Sequence, residues 1–163
     1  MFTYSQVESA LSRANRVPAQ SLGAFKGRIK HFQRLGMVQS SPGKGTKISY
    51  TREHVYSWAI CLELAQFGID PTIIKQMIWS WNDGRFLKHL IQKTIESTRE
   101  SYFVFYPNLA SLPENMIYIS DIIHAIDELK ERPELALMMT RMAMINLSHV
   151  LREVEAALEE VAK

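Results

Sequence analysis

Residues 13–52 read RANRVPAQSLGAFKGRIKHFQRLGMVQSSPGKGTKISYTR and carry nine lysine or arginine side chains with no aspartate or glutamate. Four apolar residues within this stretch recur at intervals of three and four: Leu22, Phe25, Ile29 and Phe32. That spacing forms one apolar stripe on a helix, and Gly36 is typical of a helix C-terminus. A turn-rich segment around Pro42 follows and ends in an extended piece at Tyr50. The stretch therefore predicts a basic helix followed by a basic hairpin.

The predicted helix runs from about Gln20 to Leu35, and its polar face contains two glycines. Opposite the apolar stripe lie Gly23, Gly27, Lys30, His31 and Arg34, flanked by Ala24 and Arg28. A glycine inside a helix costs about 1 kcal/mol relative to alanine, a cost that makes sense where another surface must come close. The alternative is that the helix begins near Ala24, so that Gly23 precedes it.

Length and composition indicate a globular protein. The chain has 163 residues, of which 47% are hydrophobic and 22% charged, enough for one ordinary domain or two small ones. The single cysteine, Cys61, excludes an internal disulfide and suits a reducing compartment. The N-terminal residues lack the pattern of a signal peptide, and no run of 18 apolar residues occurs. We therefore expect a cytoplasmic protein without a membrane span.

The charges are distributed unevenly along the chain. Residues 1–100 hold 14 lysines and arginines against 7 acidic residues, whereas residues 101–163 hold 5 against 10. This polarity suggests that the first part meets a polyanion, although a chance imbalance on a solvated surface is the alternative. The coincidence of the basic part with the predicted helix and hairpin favours a nucleic-acid partner.

Several further elements are predicted from caps and periodicity. Ser5 with Glu8 predicts a capping box for a first helix, Thr51 caps a third, and Asp70-Pro71 opens a fourth. The turn at 82–84 marks a candidate boundary, and the next helix is predicted to extend to about Glu100. Its inward side chains are predicted to be Phe86, Leu87, Leu90, Ile91 and Ile95.

The C-terminal part combines a predicted hairpin with helices. Residues 102–106 and 116–120 are rich in β-formers and predict two paired strands, which need a further packing partner. A helix capped by Asp121 follows, and residues 134–162 form the longest helical pattern. Its stripe predicts a dimerisation helix, with an ordinary core helix as the alternative. The predicted dimerisation residues are Met144, Leu147, Leu151, Val154, Leu158 and Val161.

Residues 28–38 resemble the second helix of the MerR family of bacterial transcription regulators. The aromatic residue, the arginine and the Gly-Met pair match in register as Phe32, Arg34 and Gly36-Met37. Residues 46–55 and 64–71 also resemble that family's wing end and later helices, so the likeness spans about residues 3–80. The wing departs from the family because Lys47-Ile48 replaces its Tyr-Arg pair, and residues 82–163 do not match its effector domains.

The resemblance implies a homodimer that places each second helix in a major groove and each wing on the adjacent DNA backbone. At matched positions, Lys30 replaces a DNA-contacting arginine and His31 a phosphate-contacting tyrosine. The predicted DNA-binding residues are Arg16, Lys26, Arg28, Lys30, His31, Arg34, Lys44, Lys47 and Arg52. A relation to the winged-helix excisionases, which bend DNA during recombination, is the alternative.

An enzyme is not expected, and neither is a cofactor or a metal. The five histidines fall on five different segments without ligand spacing, and no phosphate-binding loop or nucleophile motif occurs. With one cysteine, this sequence lacks the cysteine set that binds a thiophilic metal, so metal sensing of the mercury or copper type is not expected. Catalytic residues and metal ligands are therefore absent from our predictions.

The predicted fold is mainly α. A MerR-like winged helix-turn-helix domain is predicted over residues 1–82. An α-helical region with a small β-hairpin and a long terminal helix is predicted over residues 83–163. We expect this second region to dimerise or to bind a small-molecule or protein effector. The overall prediction is a sequence-specific regulator associated with the nucleoid.

Overall fold

The computed structural model describes residues 1–37, 48–79, 85–105, 116–119, 131 and 143–163. Helices in this part of the chain are α1 (Tyr4–Ala14), α2 (Leu22–Arg34), α3 (Arg52–Gln66), α4 (Pro71–Trp79), α5 (Phe86–Glu96) and α6 (Leu147–Val161). The strands are β1 (Tyr102–Phe105), β2 (Met116–Ile119) and β3 (Ala143–Asn146), and a short 3-10 turn (Ala19–Ser21) precedes α2. The protein is mainly helical with a small antiparallel sheet and a C-terminal helix, which confirms the coarse fold prediction. No helix in the described ranges is both long and apolar enough to cross a membrane.

Helix α1 begins at a capping box that lies two residues before the predicted one. The Thr3 hydroxyl accepts a hydrogen bond from the Gln6 N–H at 3.3 Å, and the Gln6 side-chain oxygen accepts one from the Thr3 N–H at 3.0 Å. These bonds satisfy donors that a helix N-terminus leaves unpaired. The prediction of Ser5 with Glu8 as the cap was wrong, because both residues lie inside the helix.

The predicted caps of α3 and α4 are confirmed. The Thr51 hydroxyl accepts from the His54 N–H at 3.3 Å, while His54 Nδ1 accepts from the Thr51 N–H at 3.2 Å. At α4, Asp70 Oδ1 accepts from the Thr72 N–H at 2.7 Å. Short polar side chains ahead of apolar helical patterns thus mark both starts.

Glycines follow the ends of α2 and α3, and the one after α2, Gly36, was predicted. Gly36 has φ +72° and Gly68 has φ +76°, the left-handed conformation in which a residue without Cβ is favoured. After helix α1 an arginine adopts the same left-handed conformation: Arg16 has φ +49°. Its N–H donates to the Arg13 carbonyl at 2.8 Å.

The chain divides into two compact units. Unit 1 comprises Met1–Leu62 with Val150–Lys163, and unit 2 comprises Glu63–His149. The division therefore falls within α3 and α6, whereas the sequence placed a domain boundary after residue 82. The last helix consequently belongs, for most of its length, with the first two helices.

Unit 1 has an apolar core drawn from four helices and one bridge. Phe2 and Tyr50 form an isolated antiparallel bridge, with N–H···O distances of 2.8 and 2.9 Å. Helices α1 and α2 contact each other directly. The most deeply buried side chains include Val7, Leu11, Ile29, Phe32, Trp58, Val154 and Leu158. Burial of such side chains contributes about 1.5–3 kcal/mol each.

Unit 2 contains an antiparallel sheet with the strand order β2-β1-β3. Tyr102 pairs with Ile119 on one side and with Asn146 on the other, and Phe105 pairs with Met116 and Ala143. The predicted pairing of the first two strands is confirmed. Because an isolated pair is marginal in water, the third strand supplies the partner that the pair needs.

The predicted helix over residues 134–162 is wrong over residues 143–146, which form β3. The helix begins at Leu147, where Asn146 Oδ1 accepts a hydrogen bond from the His149 N–H at 2.9 Å. Two further contacts fix this start. The Leu147 N–H donates to the Ser101 carbonyl at 2.9 Å, and the Ser101 N–H donates to Ser148 Oγ at 2.9 Å. Pairing with β1 and an asparagine cap therefore override the helical periodicity.

Helix α5 is shorter than predicted. It ends at Glu96, and Ile95 is 62% exposed instead of inward. Thr94 is buried in its place, with its hydroxyl donating to the Leu90 carbonyl at 2.9 Å.

Some predictions lie outside the described residues. These are the wing hairpin with Lys44 and Lys47, the turn at 82–84, the helix capped by Asp121, and residues 134–142 of the predicted terminal helix.

Candidate nucleic-acid interface

Helix α2 carries the central basic residues of the predicted interface on an exposed face. Ile29 and Phe32 are fully buried, and Leu22 and Phe25 are half-buried, so the apolar stripe faces the core of unit 1. All other residues from Gly23 to Arg34 except Gln33 are exposed. The amphipathic pattern predicted from the sequence is confirmed. One stripe of α2 is buried, and the rest of the helix surface faces solvent.

Four predicted DNA-binding residues are exposed along α2 without a described counter-ion, with Arg28 and Lys30 at opposite edges of the exposed surface. They are Arg28, Lys30, His31 and Arg34. None of them forms an ion pair with another residue in the described part of the chain. A cation without an intramolecular partner keeps its hydration and its full charge available to an anion.

Three other predicted residues are engaged by carboxylates within unit 1. Arg16 Nη2 lies 3.4 Å from Glu153 Oε2, and Arg52 Nε lies 2.7 Å from Glu155 Oε1. The third, Lys26, has its Nζ 2.6 Å from an oxygen of Glu8 on α1. The nine-residue prediction therefore separates into a free group on α2, a paired group, and Lys44 with Lys47 outside the described residues.

The two α2 glycines are part of the exposed face. A Cβ built at Gly23 or at Gly27 would meet no atom within 4 Å. The helix begins at Leu22, so Gly23 is its second residue and marks its start, midway between the predicted start at about Gln20 and the alternative near Ala24. Packing within the chain requires neither glycine, and both leave the backbone open to an approaching surface.

A shallow groove of about 700 Å³ borders this face. We call it the α2 groove, and it is lined by Tyr4, Gly27, Lys30, Gln33, Arg34, Ile48 and Tyr50. Gln33 Nε2 donates to the hydroxyl of Tyr50, a residue that is 1% exposed and forms the floor of the groove. The two cations of the lining, Lys30 and Arg34, are the groups that suit a phosphate or a base edge.

Aromatic side chains support the groove from within unit 1. The Tyr50 ring lies 5.1 Å from that of Trp58 and 6.3 Å from that of Tyr4, centroid to centroid. Burial raises the pKa of Tyr4 and of Tyr50 above the ordinary phenol value. The Tyr4 hydroxyl and Trp58 Nε1 are buried without a hydrogen-bond partner among the described residues.

A hydrogen-bonded network joins α3 to α6. Glu155 accepts from Arg52 Nε at 2.7 Å and from the Tyr56 hydroxyl at 2.6 Å. Burial alone would raise the pKa of Glu155, but the bonds from Tyr56 and Arg52 outweigh it and lower the pKa below the usual value. Burial and the adjacent carboxylate raise the pKa of Tyr56. The network holds the start of α3 against the last helix.

The predicted dimerisation stripe is largely covered within one chain. Leu147, Leu151, Val154 and Leu158 are each at most 7% exposed. Met144 lies in β3 and is half-buried, as is Val161 at the end of α6. The core-helix alternative accounts for this burial, and dimerisation through α6 stays a prediction.

Sequence reasoning missed the acidic partners of the basic stretch. Arg13 Nη1 lies 2.5 Å from Glu160 Oε2, and Glu153 and Glu155 bind two further arginines. The spacing of Glu153 and Glu160, seven residues apart on a helix, was the available signal. These pairs join residues separated by 103 to 147 positions, as the hydrogen bonds of the same side chains record.

The sequence matches no protein-family model, and no curated protein is significantly similar to it.

Proposed function

We propose that this chain is a sequence-specific DNA-binding transcriptional regulator that acts as a homodimer. The observation that carries the proposal is the exposed face of α2, where three cations and His31 have no described counter-ion. Most other cations predicted for the interface are paired with carboxylates. A helix whose exposed surface carries several cations without intramolecular partners is suited to the major groove of DNA.

The order of elements in unit 1 supports a MerR-like winged helix-turn-helix. Helices α1 and α2 contact each other across a seven-residue connection, residues 15–21, and the bridge between Phe2 and Tyr50 follows the predicted wing. In this arrangement α2 enters the major groove, and the basic wing with Lys44 and Lys47 lies on the adjacent backbone.

The free residues of α2 divide between two roles. Arg28, Lys30 and Arg34 are long enough to reach guanine edges, a contact that discriminates by about 1–3 kcal/mol. Lys30 and Arg34 also line the α2 groove, where both can bind a phosphate oxygen. Gly27, in the same groove, allows the duplex to approach the helix backbone.

The remaining features belong to the same proposal. The regulator acts in a bacterial cytoplasm at the nucleoid, and the C-terminal region contributes to dimerisation or binds a small-molecule or protein effector. Two-fold symmetric half-sites would then lie one or more helical turns apart. Sedimentation of the full chain measures the oligomeric state independently of DNA.

Selection from a random duplex library tests the DNA-binding proposal directly. The wild type is expected to enrich a two-fold motif and to bind it with strong salt dependence. Arg28→Ala/Lys30→Ala/Arg34→Ala should lose the motif and reduce the slope of log affinity against log salt by up to about 2.7 per subunit, since each phosphate contact contributes about 0.9.

A charge-matched variant provides the control. Lys75→Ala/Arg85→Ala/Lys93→Ala removes three exposed cations from unit 2, and it should retain the motif. Binding without any enriched motif, together with bending of the duplex, would favour the excisionase-like or architectural alternative. The absence of binding would overturn the proposal.

A further inference from the structure

Helix α6 carries acidic side chains on both flanks of its buried stripe. Leu151, Val154 and Leu158 define the stripe that faces the core of unit 1. With 100° between successive residues, Glu153 and Glu160 fall within about 20° of each other on one flank. Glu155 falls on the opposite flank, so the helix presents carboxylates on both of its sides.

Each flank holds arginines from the basic stretch. Glu160 binds Arg13 at 2.5 Å and Glu153 binds Arg16 at 3.4 Å, at the end of α1. On the opposite flank Glu155 binds Arg52 at 2.7 Å, at the start of α3. All these residues belong to unit 1.

The backbone at Arg16 adds a further observation. This residue adopts φ +49°, a conformation that L-residues rarely adopt and that glycine adopts freely. An arginine nevertheless occupies the position, with its guanidinium directed to a carboxylate of α6.

We propose that Glu153 and Glu160 are specificity-determining residues that restrict DNA to the exposed face of α2. Resting on the proposed function, this inference holds that the two carboxylates occupy Arg13 and Arg16 and repel phosphates near the end of α1. Without them, two additional arginines would bind the backbone of any duplex and strengthen binding that carries no sequence information.

The energies make this competition effective. Exposed ion pairs are weak and comparable in strength to a single phosphate contact at moderate salt. The side chains of Arg13 and Arg16 are 60% and 79% exposed, so solvent and DNA can reach them once the carboxylates are neutralised.

The test uses the full chain and a random-sequence duplex of about 30 base pairs, long enough for a dimer of helix-turn-helix domains. Glu153→Gln/Glu160→Gln should bind this duplex about 3- to 10-fold more tightly near 0.1 M salt, with a slope steeper by up to about 1.8 per subunit. The control, Glu96→Gln/Glu131→Gln, makes the same charge change in unit 2 at two exposed residues. Its affinity should stay within about twofold of the wild type, because it frees neither arginine.

A second substitution identifies the arginines as the cause. Arg13→Ala/Arg16→Ala should leave the binding of the wild type within about twofold, yet it should abolish the gain of the Gln variant. Circular dichroism of every variant checks that α6 remains folded.

The outcomes separate this inference from the proposed function. A gain confined to Glu153→Gln/Glu160→Gln, and reversed by the arginine substitutions, supports it. DNA binding by the wild type with no gain, or with an equal gain in the control, overturns it and leaves the proposed function standing. A large loss from Arg13→Ala/Arg16→Ala in the wild type also overturns it, because those arginines would then already contact DNA. If the wild type does not bind DNA at all, both proposals fail.

Discussion

Replacing Gly27 by alanine should stabilise the protein and weaken its binding to DNA. The residue lies in the interior of α2, is exposed, and a Cβ there would meet nothing within 4 Å. Alanine avoids the helix penalty of glycine, so the free energy of unfolding should rise by about 1 kcal/mol. For a chain of this size that corresponds to a rise of about 2–4 °C in Tm.

The effect on DNA should have the opposite sign. Gly27 lines the α2 groove beside Lys30 and Arg34, and the new methyl group would project about 1.5 Å beyond the present surface. If the duplex approaches the backbone here, the methyl group displaces it from both cations. We expect affinity for the selected motif to fall about tenfold, equivalent to about 1.4 kcal/mol.

Two glycine variants serve as controls for this experiment. Gly23→Ala lies in the first turn of α2 and outside the groove lining, so it should stabilise less and cost less affinity. Gly68→Ala places a Cβ at φ +76° and should destabilise by roughly 1–2 kcal/mol.

Thermal unfolding followed by circular dichroism, with fluorescence anisotropy on labelled duplex, measures both effects. A Gly27→Ala variant that is stabilised but binds the motif as tightly as the wild type would refute the close approach of DNA to α2. A variant that gains no stability would refute the exposed position of the glycine itself.

Three further perturbations concern two tyrosine hydroxyls and a histidine. Tyr4→Phe removes a buried hydroxyl without a described partner, so the free energy of unfolding should stay level or rise by up to about 1 kcal/mol. Tyr56→Phe removes a 2.6 Å bond to a carboxylate and should cost about 1–2 kcal/mol; similar urea midpoints for the two variants would contradict this. Burial lowers the pKa of His54 despite the nearby charge of Glu53, so the unfolded chain takes up the proton first as the pH falls through about 6.5. Stability should therefore be complete above that pH and decline toward the lower folded pKa. His54→Gln, which keeps an acceptor for the Thr51 N–H, should remove the decline; urea midpoints near pH 7.5 and 5.5 measure it, and an unchanged decline in the variant would exclude His54 as its source.

Local signals predicted most of the elements in the first half of the chain. The stripe of α2 and the glycine that ends it depend only on neighbours within four residues, as do the caps Thr51 and Asp70. These features are predictable because they depend on hydrogen bonds between residues within one turn of a helix end. The exposed cations of α2 were predictable for the same reason, because burial of one helix stripe fixes which side faces out.

The last part of the chain was harder to predict because its structure depends on distant contacts. Residues 143–146 fit a helical stripe, yet β1 draws them into the sheet through pairing that spans about forty residues. The helix start is visible locally only as Asn146, whose side chain caps the third residue after it. A periodic apolar stripe indicates which side of an element is buried. It does not indicate whether that side is covered by the same chain or by a second chain, or whether the element pairs as a strand.

The basic residues behind the charge asymmetry fall into two groups. Some are paired with glutamates of the same chain, and others have no described counter-ion. Of the nine basic residues between 13 and 52, four are paired with glutamates in unit 1, three of these on α6. Part of the imbalance between the two halves of the sequence is therefore neutralised within the folded chain. The cations left for a polyanionic partner are consequently fewer than composition suggests, namely Arg28, Lys30 and Arg34, with Lys44 and Lys47 from the predicted wing. The first three are exposed on a single helix, and two of them, Lys30 and Arg34, line the α2 groove, so the charge that remains is concentrated where a duplex would dock.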